Sequence, residues 1–292
     1  MRIVDEIKAV VKLTRPLSNV KNIALIILAF YLSKAEFNFL EILSSFLSVS
    51  FVCSSFYIFN AIYDHNLDKN NENKKHYSWA VSYFGREKSF ILFIILLISG
   101  LVIGFFINVY FLSFLVLLAI TDFLYSSEYV RLKEKFILDI LFGAFFTFLF
   151  RFCAFWYVFS HSFPPLLILL ALVLGKSAGY LLYKELDHKY LLANGVKNSI
   201  TILNKKTKII VSGFLWFLAL LSFVFLCINY YFKIGILGSL PPNFLLLVPF
   251  FFPPILIIYL LALGNIKTHT RVLRMWGFIY CLFVILLVFP FL

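Results

Sequence analysis

Nine stretches of this chain, near 19–34, 39–63, 89–107, 109–125, 136–160, 164–188, 208–231, 243–264 and 272–290, are predominantly apolar over the length of a bilayer crossing. A hydrocarbon core of ~30 Å takes about 20 residues of helix. Lipid offers no partner to an unpaired N–H or C=O, so such runs must be helices that close their own hydrogen bonds. The pattern predicts an all-α polytopic membrane protein with about nine transmembrane helices. Hydrophobic residues make up 62% of the 292 and charged residues 14%, against roughly 45–50% and 25% in soluble domains. A separate soluble domain has nowhere to fit, so residues 1–292 read as one transmembrane domain. Ahead of the first span, MRIVDEIKAVVKLTRP lacks the apolar core of a cleaved signal peptide. Its apolar residues recur at helical spacing, which predicts an amphipathic helix over 1–18 lying along the interface.

The net charge of +12 would suggest nucleic acid in a soluble protein; here its placement decides its meaning, and no nucleic-acid partner is expected. Of the 26 Lys and Arg, 22 fall in segments 1–21, 64–88, 126–136, 184–208 and 265–274, which alternate along the chain. The opposite connections hold only Lys34 and Lys233, while Arg151 and Lys176 sit inside spans. Positive residues mark the cytoplasmic side. The N-terminus is therefore expected inside, the C-terminus outside, and the polar loops in the cytoplasm. Cys53, Cys153, Cys227 and Cys281 all lie in apolar segments without CxxC spacing, and read as packing residues.

This one-sided polarity favours an enzyme at the cytoplasmic interface. A transporter or lipid flippase is the rival from another class. It would want charges at mid-depth on several spans and an inverted repeat. Arg151, Lys176, Asp122 and Asp139 lie near or within spans, but no convincing repeat is seen.

The most informative segment is FNAIYDHNLDKNNENKKHYSWA, 59–80. Asn60, Asp64 and Asp68 fall at i, i+4 and i+8, so a continuing helix stacks them on one face. Two carboxylates and an amide offer oxygen ligands with gaps for water, an arrangement that suits Mg²⁺ shared with phosphate oxygens. Spacing alone equally fits a helix ending in solvent-exposed acids. The same loop carries Lys69, Lys74, Lys75 and His76, natural contacts for an anionic ligand. A second cluster places Lys176, Tyr180, Lys184 and His188 at i+4 intervals, with Glu185 and Asp187 beside them. Lys176 is open to snorkelling as well as to a wet cavity, and Arg151 stands in mid-span. An acidic stripe for metal facing a basic stripe for phosphate describes a diphosphate site. Tyr57, Tyr125, Tyr180 and Tyr183 are candidates to line it.

The Asn60-x-x-x-Asp64-x-x-x-Asp68 array resembles the first aspartate motif of the UbiA superfamily of intramembrane prenyltransferases. Leu124-Tyr125-Ser126 followed by Arg131-Leu132-Lys133 resembles the family's YS…RLK segment. Gly195-Val196-Lys197 and then Asn204-Lys205-Lys206 resemble its GVKT…GKK stretch. Two positions depart from the pattern: Lys189, not an acid, stands four beyond Glu185, and Ala61 follows Asn60 where Asp is frequent. Arg15-Pro16 with Lys21-Asn22, Lys74-Lys75, Asp139, Arg151 and a lysine-bearing sixth span resemble the decaprenyl-phosphate phosphoribosyltransferase branch, although Tyr77-Ser78-Trp79-Ala80 replaces its RPIA segment.

The resemblance implies a UbiA-like helical bundle forming a single transmembrane transferase domain. It implies Mg²⁺ held by Asn60, Asp64 and Asp68, with Asp64, Asp68, Lys184, Glu185 and Asp187 as the catalytic set. Substrate contacts fall to Lys21, Asn22, Lys74, Lys75, Tyr125, Arg131, Lys133, Arg151, Lys176, Tyr180 and His188. The branch implies phosphoribosyl transfer from phosphoribosyl diphosphate to a polyprenyl phosphate. The alternative is transfer of a polyprenyl group from its diphosphate to an aromatic or glycerol-phosphate acceptor.

Overall fold

A computed structural model describes residues 2–232, which are almost wholly helical. Helix α1 (Arg2–Thr14) leads through Arg15, in the left-handed region at φ 50°, into α2 (Pro16–Ser33). Pro16 opens α2 where its missing N–H costs nothing. Then follow α3 (Phe39–Tyr63), α4 (His65–Asp68), α5 (Lys75–Phe84), α6 (Arg86–Ile107) and α7 (Val109–Ser126). Asn38 caps α3 by accepting from the amides of Leu40 and Glu41. Asn108 breaks α6 from α7: its backbone is extended, its side chain accepts from Phe111 N, and its amide donates to Tyr157 O at 2.9 Å.

The next span, Leu138–Phe159, is a composite of α8 (Leu138–Ile140), a π-helical turn (Leu141–Phe146) and α9 (Thr147–Phe159). The sixth runs from α10 (Leu166–Lys184) through a 3₁₀ turn (Glu185–Asp187) into α11 (His188–Ala193). Short α12 (Ser199–Ile202) precedes α13 (Lys205–Phe232). Seven helices among the described residues are long and apolar enough to cross a membrane. They coincide with the first seven expected spans. The spans expected at 243–264 and 272–290, the 265–274 loop and the C-terminus lie outside the described residues.

Lipid gives helices no hydrophobic reason to associate, so close packing and polar contacts hold the bundle together. Helix α6 meets α3 at Gly100, where a Cβ would stand 2.8 Å from Ser48 O; Ser48 Oγ donates to Gly100 O at 2.7 Å. The far side of α6 exposes Ile91, Ile95, Ile98, Val102, Phe105 and Phe106, as a lipid-facing surface requires. Helix α1 packs on α5, burying Ala9 and Leu13 and leaving Ile3, Val4, Ile7 and Val11 exposed on its other face.

Candidate active site

Helix α3 ends at Tyr63, yet the helical hydrogen bonds carry on across the break: Asp64 N donates to Asn60 O and Asp68 N to Asp64 O. The acidic array therefore keeps its stacking although α3 does not continue unbroken. Asp68 O in turn receives Asn71 N, and Asn71 O receives the amides of Lys74 and Lys75. These local bonds curl the asparagine-rich loop back over the carboxylates. Ser78 ties α5 to the same turn through His65 O at 3.0 Å.

Two other parts of the chain complete the site. The loop after α7 brings in Lys133, whose Nζ donates to Asp64 Oδ1 at 2.5 Å and Asn60 Oδ1 at 2.9 Å. Arg131 reaches Asp64 at 3.5 Å and pairs with Glu134, while Ser126 Oγ donates to Asn60 Oδ1. From the end of the sixth span, Asp187 accepts from Lys74 Nζ at 3.0 Å and from Asn71 Nδ2 at 3.3 Å. Lys74 lies 3.9 Å from Asp68, so its ammonium stands between two carboxylates of different helices. Asp64, Asp68 and Asp187 are all buried.

Their surroundings set their charge. Burial alone would raise the Asp64 carboxyl, but Lys133, with Lys74 and Arg131, holds it below the usual carboxylate range. Asp68 has weaker compensation: burial and the neighbouring Asp64 outweigh Lys74 and push it up to about 6. Its Oδ2 is buried and has no hydrogen-bond partner among the described residues. Burial pulls Lys133 down against the opposing pull of Asp64. Among the described residues no three His, Cys, Asp or Glu side chains form a ready metal cage. The donors present, Asn60, Asp64, Asp68 and Asp187, are all oxygens, and Asp68 Oδ2 is an acceptor in need of a partner. That set fits a hard cation that keeps waters and shares phosphate oxygens.

The expected basic stripe of the sixth span does not stay together. A 3₁₀ turn advances 3.0 residues per turn instead of 3.6, so Glu185–Asp187 over-winds the helix and swings His188 off the face of Tyr180 and Lys184. His188 Nδ1 lies 2.7 Å from Ile200 O, and Lys208 stands against it at 3.2 Å. The two acids, two residues apart and so on nearly opposite faces, take different partners: Asp187 joins Lys74, while Glu185 pairs with buried Lys208. Tyr180 bonds Tyr125 hydroxyl to hydroxyl at 2.9 Å, with Lys184 Nζ 5.5 Å over the Tyr180 ring. Lys21, Lys75 and Lys176 are exposed, in contrast to the buried acids and to half-buried Lys74. Arg151 belongs to a second polar group inside the bundle. Its Nη1 donates to Asn22 Oδ1 at 3.4 Å; Asn22 donates to Asn19 and Ser50, and Asn19 to Ser54. Arg15 lies over the rings of Tyr77 and Tyr57, at 3.6 and 5.2 Å.

Several supports escaped the reading of the sequence. Asn198 and Thr201 form a reciprocal cap on α12, and Asn198 Nδ2 also donates to Lys133 O at 2.9 Å. Ser199 Oγ accepts from Ile137 N and donates to buried Asp139 at 2.6 Å. Ile137 sits at φ 66°, an unusual place for a β-branched residue. The 195–201 segment is thus the clamp that aims the Lys133 loop. Its asparagine-to-threonine spacing was a capping signal; nothing in the sequence named the loop it would grip.

The sequence profile of the UbiA prenyltransferase family matches residues 22–282. The chain belongs to the UbiA prenyltransferase family. Its fold is that of solved UbiA proteins. A UbiA homologue from Archaeoglobus fulgidus bound to GPP and Mg²⁺ superposes with TM-score 0.77 at 14% identity, over 96% of this chain and 99% of that one. An apo UbiA homologue from Aeropyrum pernix K1 gives 0.73 at 14% identity, over 94% and 97%. A structure described for the biosynthesis of digeranylgeranylglyceryl phosphate synthase gives 0.71 at 22% identity, over 97% and 98%. No curated protein matches by sequence. As a UbiA-family chain with seven apolar spans among its described residues, this is an integral membrane protein of a transferase family.

Proposed function

We propose that this chain is a Mg²⁺-dependent transferase that cleaves a diphosphate donor and passes its organic group to an acceptor in the membrane. The observation that carries the reading is the convergence of Asp64, Asp68 and Asp187 with Lys74, Lys133 and Arg131, drawn from three separate stretches of sequence. Mg²⁺ when bound would screen the diphosphate charge; Asp64 and Asp68, with Asn60, would hold it. Lys74, Lys133 and Arg131 would move onto phosphate oxygens and stabilise the charge that grows on them. The carbon–oxygen bond to the diphosphate breaks with its electron pair leaving on the diphosphate, and an acceptor oxygen attacks the exposed carbon. Tyr125 and Tyr180, bonded to each other beside Lys184, are proposed to line the donor site. Relatives bound to GPP or to DMAPP, each with Mg²⁺, support the diphosphate and metal parts of the reading.

Phosphoribosyl diphosphate is the proposed donor and a polyprenyl phosphate the acceptor. The support is a site with as many bases as acids and a second cationic group, Arg151 with Asn22, deep in the bundle. The second reading, prenyl transfer to an aromatic or glycerol-phosphate acceptor, is favoured by the prenyl diphosphates of the structural relatives. Purified protein in detergent, given Mg²⁺ and either labelled phosphoribosyl diphosphate with polyprenyl phosphate or a polyprenyl diphosphate with mixed acceptors, separates them. Sugar label entering the lipid phase supports the first; consumption of the prenyl diphosphate supports the second and refutes the first. The site is proposed to face the cytoplasm, with the N-terminus inside and α1 lying in the interface through Ile3, Val4, Ile7 and Val11. A thiol engineered in loop 69–76 should then be labelled only from the cytoplasmic side, and labelling from outside overturns the topology.

A further inference from the structure

Building on the Mg²⁺–diphosphate reading above, we infer that Lys133 and Lys74 are built-in place-holders for metal, so that the divalent cation enters only together with a diphosphate.

Each ammonium stands where a cation ligated by the acids would stand. Lys133 Nζ takes Asp64 Oδ1 and Asn60 Oδ1 at once, the two upper donors of the proposed metal set. Lys74 Nζ bridges the lower donor, Asp68, to Asp187 across the site. The two lysines come from different loops, and both have buried carboxylate partners: the Asp64 side chain under Lys133 is 10% exposed, and the Asp68 and Asp187 side chains under Lys74 are 4% and 6% exposed. The charges nearly cancel. Asp64, Asp68 and Asp187 are balanced by Lys74, Lys133 and Arg131, with Glu134 sharing the last. A bare divalent ion would have to expel two ammonium groups from their buried carboxylate partners, which is costly. A metal–diphosphate pair brings anionic oxygens with it, and these take over the displaced ammonium groups. The lysines then serve twice, first as counter-ions that hold the empty site together and then as phosphate ligands.

The test measures Mn²⁺, standing in for Mg²⁺, retained by the detergent-purified protein on a spin column, with and without inorganic pyrophosphate. Wild type is expected to retain little Mn²⁺ alone and to retain both ligands when they are supplied together. Lys133→Met or Lys74→Met should bind Mn²⁺ alone about tenfold more tightly than wild type, and should lose pyrophosphate retention. Lys133→Arg keeps the charge and should resemble wild type. Lys74 is the more exposed of the two lysines (22% against 11%), so its variant reports even where removal of Lys133 impairs folding. Unchanged or weaker Mn²⁺ binding in a folded Met variant overturns the inference, and so does tighter binding in Lys133→Arg. In either case joint retention by wild type leaves the functional reading intact. No joint retention by wild type overturns both.

Discussion

Replacing Asp68 with Asn should remove activity while making the ligand-free protein more stable, a combination that a structural aspartate would not produce. Asp68 is 3% exposed, its Oδ2 has no hydrogen-bond partner among the described residues, and its lysine partner is 3.9 Å away. Burial raises its carboxyl from the ordinary 3.8 to about 6. Between these values the unfolded chain is ionised while the folded one holds a proton, so stability falls as pH rises from about 4 to about 6 and stays reduced above that. The gap corresponds to at most about 3 kcal/mol at neutral pH. An asparagine at this position is neutral at every pH, so Asp68→Asn should gain on the order of 1–3 kcal/mol, seen as a higher unfolding midpoint at pH 7 that converges on wild type near pH 4. Donor turnover should fall by roughly three orders of magnitude, because a metal-binding carboxylate has gone. A lower midpoint at pH 7 refutes the electrostatic reasoning, and near-normal turnover refutes the metal role.

Asp64→Asn should also abolish turnover but with the opposite effect on stability, a loss of about 3–5 kcal/mol, because Lys133 loses its buried carboxylate; unfolding midpoints distinguish the two variants. Activity should vanish with a chelator and return with Mg²⁺, and survival of full activity in the chelator would remove the metal from the mechanism. Below pH about 6 a metal must displace a proton from Asp68, so the apparent Mg²⁺ affinity should fall about tenfold per pH unit, read as the Mg²⁺ concentration for half-maximal rate. Ser199→Ala should cost about 1–3 kcal/mol by leaving buried Asp139 and Ile137 N without their shared partner. It should lower the rate far more than a remote core change, since Lys133 rides on that loop.

Much of the architecture is legible in the residues alone. Apolar length sets the spans because lipid leaves the backbone no alternative to helix, and the first seven expected spans are found. The stacking of Asn60, Asp64 and Asp68 follows from helical spacing and survives the break at Asp64 because the i+4 hydrogen bonds continue through it. The sixth span misleads for a physical reason. Four residues at i+4 predict one face only while the helix keeps 3.6 residues per turn, and the Glu185–Asp187 turn does not.

By itself, then, the amino-acid order determined what is local: helix length and the stacked acids. Which acid of Glu185 and Asp187 enters the site, which lysines sit on which carboxylates, and that Asn198 and Ser199 aim the Lys133 loop were decided only by tertiary structure. Most of those contacts join residues far apart in the chain, 60 positions for Ser199 with Asp139 and 116 for Asn71 with Asp187, and their geometry depends on how the helices pack, which no periodicity along one segment encodes.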